Sequence, residues 1–281
     1  MIHLSSSSSR RLTRWSHRIG WSLPVVAFAA FSLGLAPEVL LAQQPAAAAE
    51  GPAGFVQVTT VTVRPAAVLE FEEYAKKAVA ATAKVGGRPV QAYQPMYGNP
   101  SVYHFVVSLT EAKDLDSVPT VPQALIKTYG EAEGRRLLTA GRPAIESIQI
   151  ERHNTVRRAS TNLRPGAKPS RYYQVMRTVV DLDMMDDYMN VLEKVKKAEE
   201  AQPNAVTAMR RVIGQGGPSN TVLVVRGFET FAEQAGWANQ REVLRKVYGA
   251  EDDRLMNETI TRAVVSREST VLAHRPDLSS Q

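Results

Sequence analysis

The sequence predicts an α+β protein made of two tandem β-α-β-β-α-β units whose sheets face each other, and three observations carry that expectation. First, residues 55–158 and 171–275 repeat four blocks in the same order. "VQVTTVTV" answers "YQVMRTVV", "NPSVYHFVVSLTEA" answers "GPSNTVLVVRGFET", "LIKTYGEAEGRRL" answers "LRKVYGAEDDRLM", and "ESIQIERH" answers "ESTVLAHR". Second, the offset between the blocks stays between 116 and 122 residues, which a duplicated unit explains and coincidence does not. Third, each copy alternates short β-branched runs with stretches of helical periodicity.

In the first copy, 55–63 reads as a strand, and 66–85 reads as a helix with Leu69, Phe71, Ala75, Ala78, Val79 and Thr82 at helical spacing. Gly86-Gly87 ends that helix. Two strands follow in "RPVQAYQPMYG" and "SVYHFVVSLT", turned through Gly98-Asn99-Pro100. A helical region at 112–146, broken by Pro119, Pro122, Gly130, Gly141 and Pro143, leads into a last strand at 147–153. The second copy runs strand 172–180, helix 183–201, strand 205–213, the turn "GQGGPSN", strand 220–227, helical region 229–263 and strand 268–274. Residues 159–170 are polar with two prolines and read as a linker, and 276–281 as a tail. The repeated Lys-x-Tyr-Gly marks a joint between helical pieces, with Tyr129, Gly130, Tyr248 and Gly249 as structural anchors rather than catalytic groups.

The β-α-β-β-α-β order is the ferredoxin-like split motif, with both helices on one face of an antiparallel sheet. "TVLVV" in 221–225 is apolar on both faces, so the open faces of the two sheets are expected to bury each other, with helices outside.

The chain has 281 residues, 44% hydrophobic and 22% charged, in the range of globular proteins. Its net charge of +6 is concentrated at the start, where Arg10, Arg11, Arg14 and Arg18 face only Glu38 within residues 1–42. The remainder, with 30 basic and 27 acidic residues, calls for no nucleic-acid partner. Residues 1–42 read as a secretory signal: a basic stretch, an apolar run broken by Pro24 and Pro37, and Ala42 ahead of Gln43. That run is too short for a stable membrane span, so the expectation is export to a periplasmic or extracellular space, with 43–54 as a small-residue spacer. There is no cysteine, which excludes disulfides, thiolate ligands and cysteine nucleophiles.

On the element order, the duplication and the Tyr-Gly joint, residues 55–275 resemble the dimeric α+β barrel superfamily, in particular its NIPSNAP-like and antibiotic-biosynthesis-monooxygenase-like branches. The resemblance implies a single-chain pseudo-dimeric barrel that is a monomer or a homo-oligomer. It also implies either oxygen-dependent or isomerising chemistry on a small aromatic or quinone-like molecule, or a non-catalytic exported interaction module. No catalytic motif transfers residue by residue.

Comparing the copies places Tyr103, Phe105 and Val107, with Thr221, Leu223 and Val225, against the helices, and His104 and Arg226 on the opposite, interior face. On the second strand Val90 and Ala92, with Val206 and Ala208, take the helix side, leaving Tyr93 and Arg211 inside. Arg177 on the first strand of copy two is assigned to either face. Tyr93, His104, Arg177, Arg211 and Arg226 are therefore the ligand-binding candidates, a set of cations and a phenol suited to an anionic or phenolic small molecule. Neither a metal nor a cofactor is called for. His153 and His274, at matching places near the ends of the last strands, have no third ligand at suitable spacing. A binding barrel requires a continuous interior cavity reaching Tyr93 or His104, whereas an interaction module requires an exposed apolar patch outside the barrel.

Overall fold

The computed structural model describes residues 54–111, 113–161, 168–202 and 208–280. Residues 1–42, expected to be a secretory signal, nearly all of the expected spacer, 162–167 of the expected linker and Val206 lie outside the described residues. Within them run strands β1 (Phe55–Val63), β2 (Val90–Pro95), β3 (Val102–Leu109), β4 (Ile145–Thr155), β5 (Tyr172–Val180), β6 (Ala208–Gln215), β7 (Thr221–Phe228) and β8 (Val264–His274). The helices are α1 (Val68–Lys84), α2 (Asp114–Ser117), α3 (Val121–Tyr129), α4 (Glu131–Gly141), α5 (Met185–Glu200), α6 (Phe231–Ala235), α7 (Gln240–Tyr248) and α8 (Ala250–Ala263).

All eight strands join one closed antiparallel barrel in the order β1-β3-β2-β8-β5-β7-β6-β4. Each half contributes four neighbouring strands with the same adjacency, β4-β1-β3-β2 and β8-β5-β7-β6. Two short seams close the ring. Tyr93, Gln94 and Pro95 of β2 pair with His274, Ala273 and Leu272 of β8, and β4 from Arg152 to Thr155 pairs with β6 from Gln215 to Arg211.

Alternation along each strand decides what faces where. On the outside, α1 buries Phe71 and Ala75 against Val61, Val63, Ala92 and Tyr103, and α5 buries Tyr188, Met189 and Leu192 against Val180 and Val222. The opposite parity, including Val58, Thr60, His104, Val106, Val175 and Arg177, lines the lumen. The remaining helices form an outer layer, α3 and α4 on α1 through Leu125 and Leu137, and α7 and α8 on α5 through Leu244 and Met256.

The repeated joint has the same geometry in both halves. Gly130 sits at φ +82°, ψ 164° and Gly249 at φ +88°, ψ 171°, each ending one helix and opening the next. That region of backbone space is essentially restricted to glycine. Tyr248 Oη donates to the Lys194 carbonyl of α5 at 3.1 Å, whereas Tyr129 packs beside Leu125 and Leu137 with the Lys84 ammonium 5.9 Å from its ring centroid.

Three expectations need correction. The linker is anchored at its start, because Thr161 is fully buried and exchanges hydrogen bonds with Ala208 at 2.8 and 3.2 Å. The tail is also packed: Leu278 is buried among Phe71 and Tyr103, and the Ser280 amide donates to the Val90 carbonyl at 2.8 Å. Finally, β7 is turned by one residue from the expected phase. Tyr93 faces His104 as Arg211 faces Leu223, so the second half holds one more residue between those positions than the first. Leu223 and Val225 consequently turn inward with Ile213, while Val222 turns out beneath α5.

The glycine requirement is testable because no atom lies within 4 Å of where a Cβ on Gly249 would stand. Any cost of Gly249→Ala is then backbone strain, expected at about 1–3 kcal/mol and readable from urea unfolding.

Candidate functional site

The lumen opens into a continuous void of about 2460 Å³ that also spills past the barrel end towards α5 and Trp237, and both Tyr93 and His104 line it. Apolar walls come from Val56, Val58, Val106, Val175, Leu223 and Val225. The polar side chains gather into two adjoining groups.

The first group centres on Glu151 of β4, which is 7% exposed. His153 Nε2 donates to its Oε2 and Gln149 Nε2 to its Oε1, both at 3.0 Å. From β5, on the other side of the ring, Arg177 reaches through the lumen and meets both oxygens at 3.3 and 3.4 Å. Burial works to raise the Glu151 carboxyl, but the bonds from His153 and Arg177, with the Arg177 charge, outweigh it and hold the group below its ordinary value. A carboxylate with partners on both oxygens costs far less to bury than an isolated one. Beside it, Thr60 Oγ1 lies 3.0 Å from His104 Nδ1. Burial lowers both His104 and His153 from their ordinary value, so the lumen presents neutral imidazoles at neutral pH.

The second group is aromatic and cationic. Tyr93 of β2 and Tyr173 of β5 meet edge to face with centroids 5.3 Å apart, and the Tyr173 hydroxyl accepts from the Ser170 amide at 2.9 Å. Burial raises the Tyr93 phenol, Tyr173 adds to the rise, and the nearby Arg211 charge opposes it. Arg211 of β6 has Met209 Sδ, 3.4 Å from Nη2, as its contact, and its Nε is buried without a hydrogen-bond partner. No carboxylate among the described residues pairs with it. Burial pulls its pKa down from the ordinary value, as expected for an uncompensated cation in a low-dielectric setting.

Of the five candidates, the structure brings Tyr93, His104, Arg177 and Arg211 into the lumen. Arg226 is the exception: it borders the void outside the lumen, where this spills towards Trp237. It stands with Val222 and Val224 on the outward face, where its Nη2 bonds Glu199 Oε1 of α5 at 2.5 Å and its guanidinium lies 5.7 Å from the Trp237 ring. Glu199 Oε2 also takes Arg210 Nη2 at 2.9 Å and the Thr161 hydroxyl at 2.8 Å. This buried triad ties α5 to the sheet and to the start of the linker. The one-residue phase shift of β7 accounts for the misplacement.

Sequence reasoning missed Glu151, Gln149 and Tyr173, and it paired His153 with His274. By register, Val58 faces Glu151 and Val175 faces Thr270, so the counterpart of His153 is Leu272. His274 instead hydrogen-bonds Gln91 Oε1 at 2.9 Å and lies against Tyr93 with centroids 5.4 Å apart. Strand alternation with "QIERH" could have flagged Gln149, Glu151 and His153 as one inward row. Among the described residues no three His, Asp or Glu side chains converge on a possible metal position.

A histidine with a lowered folded-state pKa binds less proton folded than unfolded, so its stabilising contribution is present above pH 6.5 and is lost as pH falls towards the folded value. Glu151 adds a loss in the same direction below pH 4.5. The imidazole proton resonances of His104 and His153 are expected to titrate with midpoints below 6.5, and the urea midpoint of the protein to decline on acidification from that pH. Midpoints at or above 6.5 would contradict the burial described here.

No family model matches the chain, and no curated protein matches it. Among solved structures, a candidate monooxygenase from Fusobacterium nucleatum superposes with a TM-score of 0.53 and 6% identity, covering 79% of this chain and 93% of that one. A candidate monooxygenase from Lactobacillus acidophilus superposes with a TM-score of 0.50 and 10% identity, over 82% and 96%. At such identities the likeness is one of fold: a mixed α/β barrel of eight antiparallel strands, closed here by a single polypeptide.

Proposed function

We propose that this protein binds a small aromatic or phenolic anion in its barrel lumen. The observation that carries the reading is Arg211, a lumen cation whose Nε is buried and unpartnered and which lacks an opposing carboxylate, flanked by the rings of Tyr93 and Tyr173. Glu151 is already neutralised by Arg177 and the other lumen carboxylate, Glu268, is exposed, so the buried charge left to be answered is positive. A ligand carboxylate or phenolate fits that role, and the tyrosines offer aromatic edges to a ring. Neutral His104, steadied by Thr60, supplies a base within the same lumen. This is the group that a monooxygenase-like or isomerase-like reaction on such a ligand would use to accept a proton. The two fold neighbours described as monooxygenases incline the reading to that branch over a NIPSNAP-like one. We read the two halves as copies of one ferredoxin-like unit, on their shared strand adjacency and the four repeated blocks.

Benzoate and 4-hydroxybenzoate are suitable probes, with benzyl alcohol as the neutral control. Calorimetry is expected to show saturable binding of both anions, weakened at least about tenfold, or about 1.4 kcal/mol, in Arg211→Met. The same variant is expected to gain about 1 kcal/mol or more in unfolding stability, because it removes a buried charge without a counter-charge. Equal affinity of the wild type for the anions and the alcohol would sink the reading.

Export is likewise our proposal, resting on the basic and apolar pattern of residues 1–42. N-terminal sequencing of protein recovered from the producing cell is expected to begin near Gln43, and a chain that retains Met1 would overturn it.

A further inference from the structure

The outer face of β4 is uncovered. Ile148 and Ile150 are 55% and 53% exposed there, side by side with Val61 and Thr59 of β1 in register. The outer layer of helices packs on α1 and leaves this strip bare. Glu146 stands exposed at the N-terminal end of the strip, where the β1–β4 register shifts. Half-buried Arg152 stands at the other end, its guanidinium 5.5 Å from the Phe55 ring and its Nε buried without a hydrogen-bond partner. The strip thus reads acid, isoleucine, isoleucine, base along one outward row.

We propose that this strip is the contact surface of a homodimer. Two copies related by a two-fold axis run their β4 strands antiparallel, face to face. Ile148 then meets the partner's Ile150, and Glu146 meets the partner's Arg152, twice over. A row with opposite charges at its ends and like apolar residues between them is complementary to itself reversed, which is the requirement of an isologous interface. The charges fix orientation and the isoleucines supply the burial. The other half does not repeat the feature: by register, the β8 positions matching Ile148 and Ile150 are Arg267 and Ser269. With one such strip among the described residues of β4 and β8, association through it closes at two copies instead of extending into a filament.

The test is the mass of the purified protein by sedimentation equilibrium over a range of concentrations, with circular dichroism confirming that each variant is folded. The wild type is expected to be dimeric. Glu146→Arg and Arg152→Glu, which each set like charges against one another, are expected to weaken the dimer at least about tenfold, and the double exchange to restore it. Ile150→Lys is expected to leave a folded monomer. A wild type that stays monomeric at every concentration, as it would if the strip served a different protein, overturns the proposal. So does a dimer unaffected by Ile150→Lys, or a double exchange no tighter than the single ones.

Discussion

Everything in this molecule depends on closing the ring. A four-stranded sheet leaves two edges of unpaired amides and carbonyls, and each half of the chain has such a sheet. The two seams, β2 with β8 and β4 with β6, satisfy part of those edges and are short, only three and four residue pairs. Yet they convert two open sheets into a container. Neither half has a lumen alone, and side chains that would be solvated on an open sheet become interior groups with restricted access to water. The altered pKa values of Glu151, His104, His153 and Arg211 follow from that closure.

The lumen is also where the two halves differ. By register, Thr60 corresponds to Arg177, Tyr93 to Arg211, His104 to Leu223, and Glu151 to Thr270. None of these pairs conserves its chemistry, whereas the outward faces keep apolar residues against α1 and α5 in both halves. Packing under helices tolerates little change in volume or polarity, which accounts for the likeness of the outward faces and leaves the lumen faces free to differ. Arg177 satisfies Glu151 from the far side of the ring, and Arg211 is left with tyrosines.

Much of the fold was legible in the sequence because its signals are local. β-branched runs, the periodicity of residues 66–85 and glycines at the helix joints each act through their own stretch of chain, and the repeat supplied a second reading of every element. The faces of β2 and β3 in the first half followed from simple alternation, whereas comparing the copies did not decide the faces of the first strands. The site was legible only in part. One additional residue between Arg211 and Leu223 reversed the face assigned to Arg226, since strand side chains have a period of two and no partial slip exists. The partnership of Glu151 with Arg177 spans 26 residues and most of the lumen, and nothing local to either residue announces it. The burial of Thr161 and Leu278 was hidden for a related reason: each lies in a polar-looking segment, and its partner is far away in sequence.

The seams carry a consequence for how the chain reaches this state. β2 waits for β8, which joins it through Tyr93 and His274, and β4 waits for β6. A chain emerging from its N-terminus can therefore assemble its first sheet early, but must keep the β4 edge bare for about 60 further residues, until β6, and the β2 edge for more than a hundred, until the end of β8. Contacts so distant in sequence make for slow folding, and bare edges invite pairing with other chains in the interval. The exposed isoleucines of β4 lie along one of those edges, so the interval before closure is the time at which this protein is most open to aggregation or to chaperone capture.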